Sequence, residues 1–171
     1  MKVYRGYRDD GDRAVVEVFE HRWRGCGVPL VHHRKHSPAG FEWGYLGSGP
    51  AELARCLLID HLGSSAWCPT CQGTGILAPA HVHGGTLDPD QCWVCLGEAT
   101  TFGPQAYQSL KHEHVSTWGE AWELTAADLR LFLRRFADYP AVARSLSSAG
   151  GLPRPGVTVL GPRLDSGGRT P

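Results

Sequence analysis

GSGPAELARCLLIDHLG, residues 47–63, reads as one helix with a marked start and a marked stop. Pro50 suits the first helical position, with Ser48 or Gly49 as its cap. Leu53 and Leu57, with Ala54, Leu58 and Leu62, recur at helical spacing and give a wide apolar face. Gly63 ends the run. Upstream, KVYRGYR (2–8) and RAVVEVFE (13–20) flank the turn signal DDGD, and Val16, Val18 and Glu20 alternate with Val15, Glu17 and Phe19. This predicts a β-hairpin. FEWGYL (41–46) is a further strand candidate. The intervening RWRGCGVPLVHHRKHSPAG (22–40) is punctuated by Gly and Pro and reads as loop with short extended pieces.

Downstream, PQAYQSLKHEHVSTW (104–118) predicts a short helix with Tyr107, Leu110 and Val115 inward. WELTAADLRLFLRRFADYP (122–140) predicts a clearer one. Thr125 is its cap, paired with Asp128 three residues on, and Leu129, Phe132, Leu133 and Phe136 form the buried stripe. Arg130, Arg134 and Arg135 lie outside that stripe, and Pro140 follows the helix end. Residues 145–171 are rich in Ser, Gly and Pro, with VTVL as the only apolar run, and read as a flexible tail.

The segment between the helices carries two cysteine pairs, Cys68-Pro-Thr-Cys71 and Cys92-Trp-Val-Cys95. Such pairs serve as metal ligands, disulfides or redox dithiols. The spacing suits one four-cysteine zinc site, because two intervening residues let a tight turn offer both sulfurs to one ion. Gly73 and Gly97, each two places after the second cysteine of its pair, permit the positive φ that turns backbone N–H groups toward sulfur. Neither pair has the βαβ context of a redox dithiol. Four cysteines close the coordination shell, so the zinc is expected to be structural rather than catalytic. It has a physical motive: residues 64–103 carry few large apolar side chains and need a staple. His81 and His83 are alternative ligands or loop residues. Cys56 is expected buried on the helix, and Cys26 has no evident partner.

CPTCQGTG also resembles the C-x-x-C-x-G-x-G repeat of DnaJ-type co-chaperones; CWVCLGEA keeps all but the last glycine. With no J domain and no histidine-proline-aspartate motif, that resemblance implies the metal and not the chaperone activity. HSPAGFEWGYLGSGPAELARCLLIDHLG (36–63), with WELTAADLRLFL (122–133), is similar to an uncharacterised prokaryotic and bacteriophage family, the domain of unknown function numbered 6166. Its distinctive block is W-G-Y-x-G-S-G-P-x-x-L-A, here Trp43 to Ala54. The resemblance implies an α+β domain in two halves, 1–63 and 104–140, with a zinc-ribbon module inserted at 64–103. It suggests a phage or actinobacterial setting and brings no catalytic residues.

The 17 Lys and Arg balance the 17 Asp and Glu, so net charge implies neither nucleic acid nor membrane. The charged start lacks a signal-peptide pattern and no run approaches a membrane span, which makes a cytoplasmic protein the expectation, in the host if phage-encoded. The distribution is uneven. No Lys or Arg lies between Arg55 and Lys111, whereas residues 21–36 hold Arg22, Arg24, Arg34 and Lys35, four histidines and no acid. Gly47, Ser48 and Gly49 at the helix start, with Arg34, Lys35 and His36, form a candidate anion site; its glycine spacing is neither a dinucleotide fingerprint nor a Walker A loop. The alternative is a plain tight turn. Asp60-His61 and His112-Glu113-His114 could pair a base with a carboxylate, yet adjacent helical residues diverge, and no catalytic set emerges.

The reading is an α+β fold with a small antiparallel sheet, about three helices and a four-cysteine ribbon. The expected role is a non-enzymatic zinc protein that binds another protein; Trp67 and Trp93 are its candidate contact residues, the alternative being that they pack the ribbon against the domain. A nucleic-acid binder using loop 21–36 is one alternative, and an enzyme near the Gly-Ser-Gly-Pro turn is another.

Overall fold

The computed structural model describes residues 2–20, 25–77 and 91–147. The hairpin forms as the alternation requires: β1 (Val3–Arg8) pairs antiparallel with β2 (Ala14–Phe19), Gly6 opposite Val16 and Tyr4 opposite Val18. Asp9 closes the turn, its Oδ1 accepting from the amides of Gly11 and Arg13 at 3.0 Å each. β3 (Val28–Pro29) joins β2 and β4 (Trp122–Thr125) joins β1, giving the antiparallel order β3-β2-β1-β4. One face carries Tyr4, Val16, Val18, Trp122 and Leu124, all buried.

α1 (Ser48–Leu62) lies at the centre of the core. Leu53, Leu57 and Leu58 are fully buried, and so are Glu52 and nearly all of Arg55 and Cys56. The burial extends beyond the predicted stripe because α1 is packed by α2 (Pro104–Glu113), α3 (Ala126–Leu133) and α4 (Pro140–Ser147). It also anchors the sheet: the Tyr4 hydroxyl and Lys2 Nζ both donate to Asp60 Oδ2 at 2.9 Å. Tyr107, Leu110 and Val115 point inward as expected. The capping box of Thr125 and Asp128 is present in both directions. No helix among the described residues is long and apolar enough to cross a membrane.

Four local expectations change. FEWGYL is a loop, because Trp43 is drawn inward: its Nε1 donates to Gly119 O at 2.7 Å, and Gly44 N donates to Val115 O at 3.0 Å. The fourth strand is instead Trp122–Thr125, which the longer helical pattern hid. Trp122 lies flat over Gly6, stacks on Trp118 at 4.1 Å and meets Trp43 edge-on at 5.8 Å. Any side chain at position 6 would enter the Trp122 ring, which explains a glycine inside a strand. α1 begins at Ser48 with Gly47 as cap and no side-chain capping bond, two residues before Pro50. Pro140 opens α4 rather than following a helix into a tail, and Val142 is fully buried. The helix therefore runs past 145, where the tail was expected to begin; the remainder, 148–171, lies outside the described residues.

Candidate metal centre

The two cysteine turns have the same backbone. After Cys71, positive φ occurs at Gln72 (52°), Gly73 (84°) and Gly75 (75°); after Cys95 it recurs at Leu96 (51°), Gly97 (76°) and Ala99 (64°). Position for position the turns match, even where the second has alanine in place of glycine. Their hydrogen bonds match as well. Thr74 N donates to Cys71 O at 3.0 Å, and Glu98 N to Cys95 O at 2.9 Å. Each turn then holds the other: Cys92 N donates to Gly75 O at 2.9 Å, and Cys68 N to Ala99 O at 3.0 Å. The twofold repeat in the sequence is thus a pseudo-twofold in space.

These turns, or knuckles, place the four Sγ atoms within 4.8 Å of one another, and all four cysteines are buried. Cys68 and Cys92 Sγ are 3.9 Å apart, Cys71 and Cys95 Sγ 3.6 Å. A tetrahedral ion with metal–sulfur bonds of about 2.3 Å needs sulfur–sulfur edges of about 3.8 Å, so the donor set fits one metal ion. Burial pushes the Cys71 thiol up, but the amides of Gly75, 3.3 Å from its Sγ, and Gly73 outweigh it and bring it down to about 7. Burial pushes Cys95 up to about 12, with the Ala99 amide opposing and the neighbouring cysteines adding to the rise. His81 and His83 lie outside the described residues.

A polar network docks this centre onto α1. Glu52, one turn into the helix, is fully buried and accepts from Lys35 N at 2.8 Å and His36 N at 2.7 Å, with His32 Nε2 at 3.0 Å. Arg55, 3 % exposed, donates from Nη1 to His33 O at 3.0 Å and from Nη2 to Glu98 O at 3.4 Å. The loop 32–36 therefore turns amides toward the buried acid and a carbonyl toward the buried base, solvating both in place of water. Lys35 Nζ crosses to Glu98 Oε2 at 2.6 Å. Burial, aided by Arg55, lowers the pKa of His33, and burial lowers that of His36, so these two rings are neutral at neutral pH.

The residues of the candidate anion site divide between two places. Gly47 and Gly49 pack against Tyr45 and Glu42, and Glu42 pairs with Arg8. Lys35 and His36 serve Glu52, while Arg34 and Ser48 are exposed. Trp67 is half-buried, edge-on to His33 at 4.8 Å and directly over Gly73. Trp93 is 69 % exposed. Asp60 is occupied by Lys2 and Tyr4, and Glu113 by Arg135. Cys56 is buried and its thiol is pushed up to about 11 by that burial, and Cys26 is exposed. Glu52, Arg55 and Glu98 escaped the sequence reading. The signal for the first two was an acid and a base one turn apart inside an otherwise apolar helix.

Residues 4–72 match a family of unknown function, DUF6166. The DUF6166 segment covers β1 from Tyr4, β2, β3, α1 and the first knuckle as far as Gln72, including the block from Trp43 to Ala54. The second knuckle and the elements from α2 onward lie beyond it. No curated protein and no solved structure matches the chain.

Proposed function

We propose that this chain is a non-enzymatic binding factor, stapled by one structural Zn²⁺ at Cys68, Cys71, Cys92 and Cys95, that meets a protein partner through its second knuckle. All-thiolate ligands in a tetrahedral cage favour zinc and leave no open position for substrate. The pairing of Trp67 with Thr100, and of Thr101 N with Ala66 O at 2.8 Å, closes a neck that supports reading 64–103 as an inserted module.

The observation that carries the binding role is the tip of the second knuckle. Trp93 and Leu96 are each 69 % exposed, and Val94 stands beside them. Large apolar groups gathered on a surface mark contact sites more often than isolated ones do. Beside them a groove of about 520 Å³ runs from Pro69, Val94 and Leu96 to Tyr139, Pro140 and Arg144. The cations available for phosphate are fewer than the sequence suggests, since Lys35 is paired with Glu98 and Arg135 with Glu113.

Metal analysis of untagged protein should give one zinc per chain; a metal-free protein that keeps its full fold would end the structural-zinc reading. Affinity capture with purified wild-type protein and with Trp93→Ala tests the contact: a specific partner should be retained by the first and lost by the second. Salt-dependent binding to duplex or single-stranded nucleic acid that survives Trp93→Ala would favour the nucleic-acid alternative instead.

A further inference from the structure

A cavity of about 380 Å³ opens between the basic loop and the two knuckles. Arg34 and Lys35 line it from the loop, Arg55 from α1, Thr74 and Gly97 from the knuckles, and Trp67 stands beside them. None of the four clustered cysteines is in its wall. Its volume falls at the small end of the range for small-molecule sites, about 300–1,000 Å³. Of the residues the sequence grouped as an anion site, Arg34 and Lys35 reach this cavity; Gly47, Ser48, Gly49 and His36 do not.

Charge distinguishes this cavity. Arg55 is 3 % exposed, and its partners are two neutral carbonyls, His33 O at 3.0 Å and Glu98 O at 3.4 Å. Its Nε is buried and has no hydrogen-bond partner. No carboxylate oxygen lies within 4 Å of its guanidinium among the described residues. The two nearby acids are taken, Glu52 by the Lys35 and His36 amides and Glu98 by Lys35 Nζ at 2.6 Å. A buried cation held only by neutral groups is uncompensated, and a guanidinium has more donors than two carbonyls consume. Arg34 is exposed and enters no ion pair or hydrogen bond among the described residues. With His33 neutral, and Lys35 and Glu98 cancelling each other, the wall keeps an excess of two positive charges, Arg34 and Arg55.

We propose that this cavity binds the phosphoryl group of inorganic phosphate or of a small phosphate monoester, with Arg55 at its floor and Arg34 at its mouth. Such a group is largely dianionic at neutral pH, which matches the excess charge of the wall. Guanidinium forks suit its oxygens. A nucleic-acid diester carries one charge and would leave half of that excess unmatched. The site is separate from the exposed tip of the second knuckle, and it needs only that both knuckles are folded.

The test uses the full chain, loaded with Zn²⁺ and freed of excess metal. Inorganic phosphate and phenyl phosphate are titrated calorimetrically into wild type, Arg34→Gln and Arg55→Lys, and amide shifts are followed in parallel titrations. Wild type should bind one phosphoryl group per chain, moving the amides of Lys35, Thr74 and Gly97 and leaving those of Gly47 and Ser48 in place. Arg34→Gln should weaken binding about tenfold, the loss of one charged hydrogen bond, and Arg55→Lys by at least as much. Tighter binding of the ester assigns the occupant to a phosphorylated small molecule; phosphate binding at least as tightly assigns it to free phosphate. No saturable binding by wild type overturns the proposal, as does unchanged affinity in Arg34→Gln. So does tighter binding, at the same amides, of an oligonucleotide without a terminal phosphate, which would make this a nucleic-acid backbone site. If Arg55→Lys does not fold, Arg34→Gln decides alone, because its side chain is exposed and its loss leaves the fold intact.

Discussion

The first and second knuckles share a backbone and almost nothing else. Both turn through the same three positive-φ positions, and each lends a carbonyl to the other's first cysteine. Their surroundings diverge. The first is roofed by Trp67, which lies over Gly73 and against His33. The second presents Trp93, Val94 and Leu96 to solvent, and its far end is gripped by Arg55 and Lys35. What is common is what four converging sulfurs require. What differs is what each turn does for the rest of the chain: one packs, the other faces outward.

Substitutions in each knuckle test that contrast. The largest effect should come from the shared part. Cys71→Ser and Cys92→Ser should each abolish stoichiometric zinc binding and cost several kcal/mol, because metal binding and folding of such a module are coupled; metal analysis and thermal unfolding check this. Trp67→Ala should cost about 3 kcal/mol, as expected for a large aromatic removed from a packed site, and denaturant unfolding measures it. Gly75→Ala should cost about 2–3 kcal/mol, since its Cβ would lie 2.9 Å from Gly97 O at a φ of 75°. Ala99→Gly, the equivalent position in the other knuckle, should do the reverse and stabilise by about 0.5–1 kcal/mol, relieving an alanine from a left-handed conformation. Trp93→Ala should change stability by no more than about 0.5 kcal/mol; a cost comparable to that of Trp67→Ala would mean that the second knuckle packs too, and the contrast would collapse.

Much of this was legible in the residues. The hairpin, the helix ending at Gly63, the Thr125–Asp128 cap and the four cysteines with their glycines are each written in a local pattern. Patterns that overlap were harder. Trp122–Thr125 is too short to break the helical period that follows it, and its strand character comes from pairing with β1, far away in sequence. Pro140 carries the same letter whether it follows a helix or opens one. Ala99 gives no hint of positive φ, because only its twin in the other knuckle carries the glycine that signals it. Glu52 and Arg55 carry no local sign of their partners; these, His33, Lys35, His36 and Glu98, come from two distant segments. At His33 and His36 burial removes the charge that the sequence suggests.

The central place of α1 has a consequence for the order of assembly. As the chain leaves the ribosome, α1 emerges after the hairpin and the loop and ahead of the other helices that pack on it. Phe102, Tyr107, Leu110, Leu129, Leu133 and Val142, which belong to the same buried core, are all translated later, after both cysteine pairs. Until then a helix with fully buried leucines in the finished protein is without much of its cover. The nascent chain thus passes through a stage in which its most apolar element waits for the carboxy-terminal half, and a fragment stopping at Leu77 should aggregate rather than persist as a folded piece.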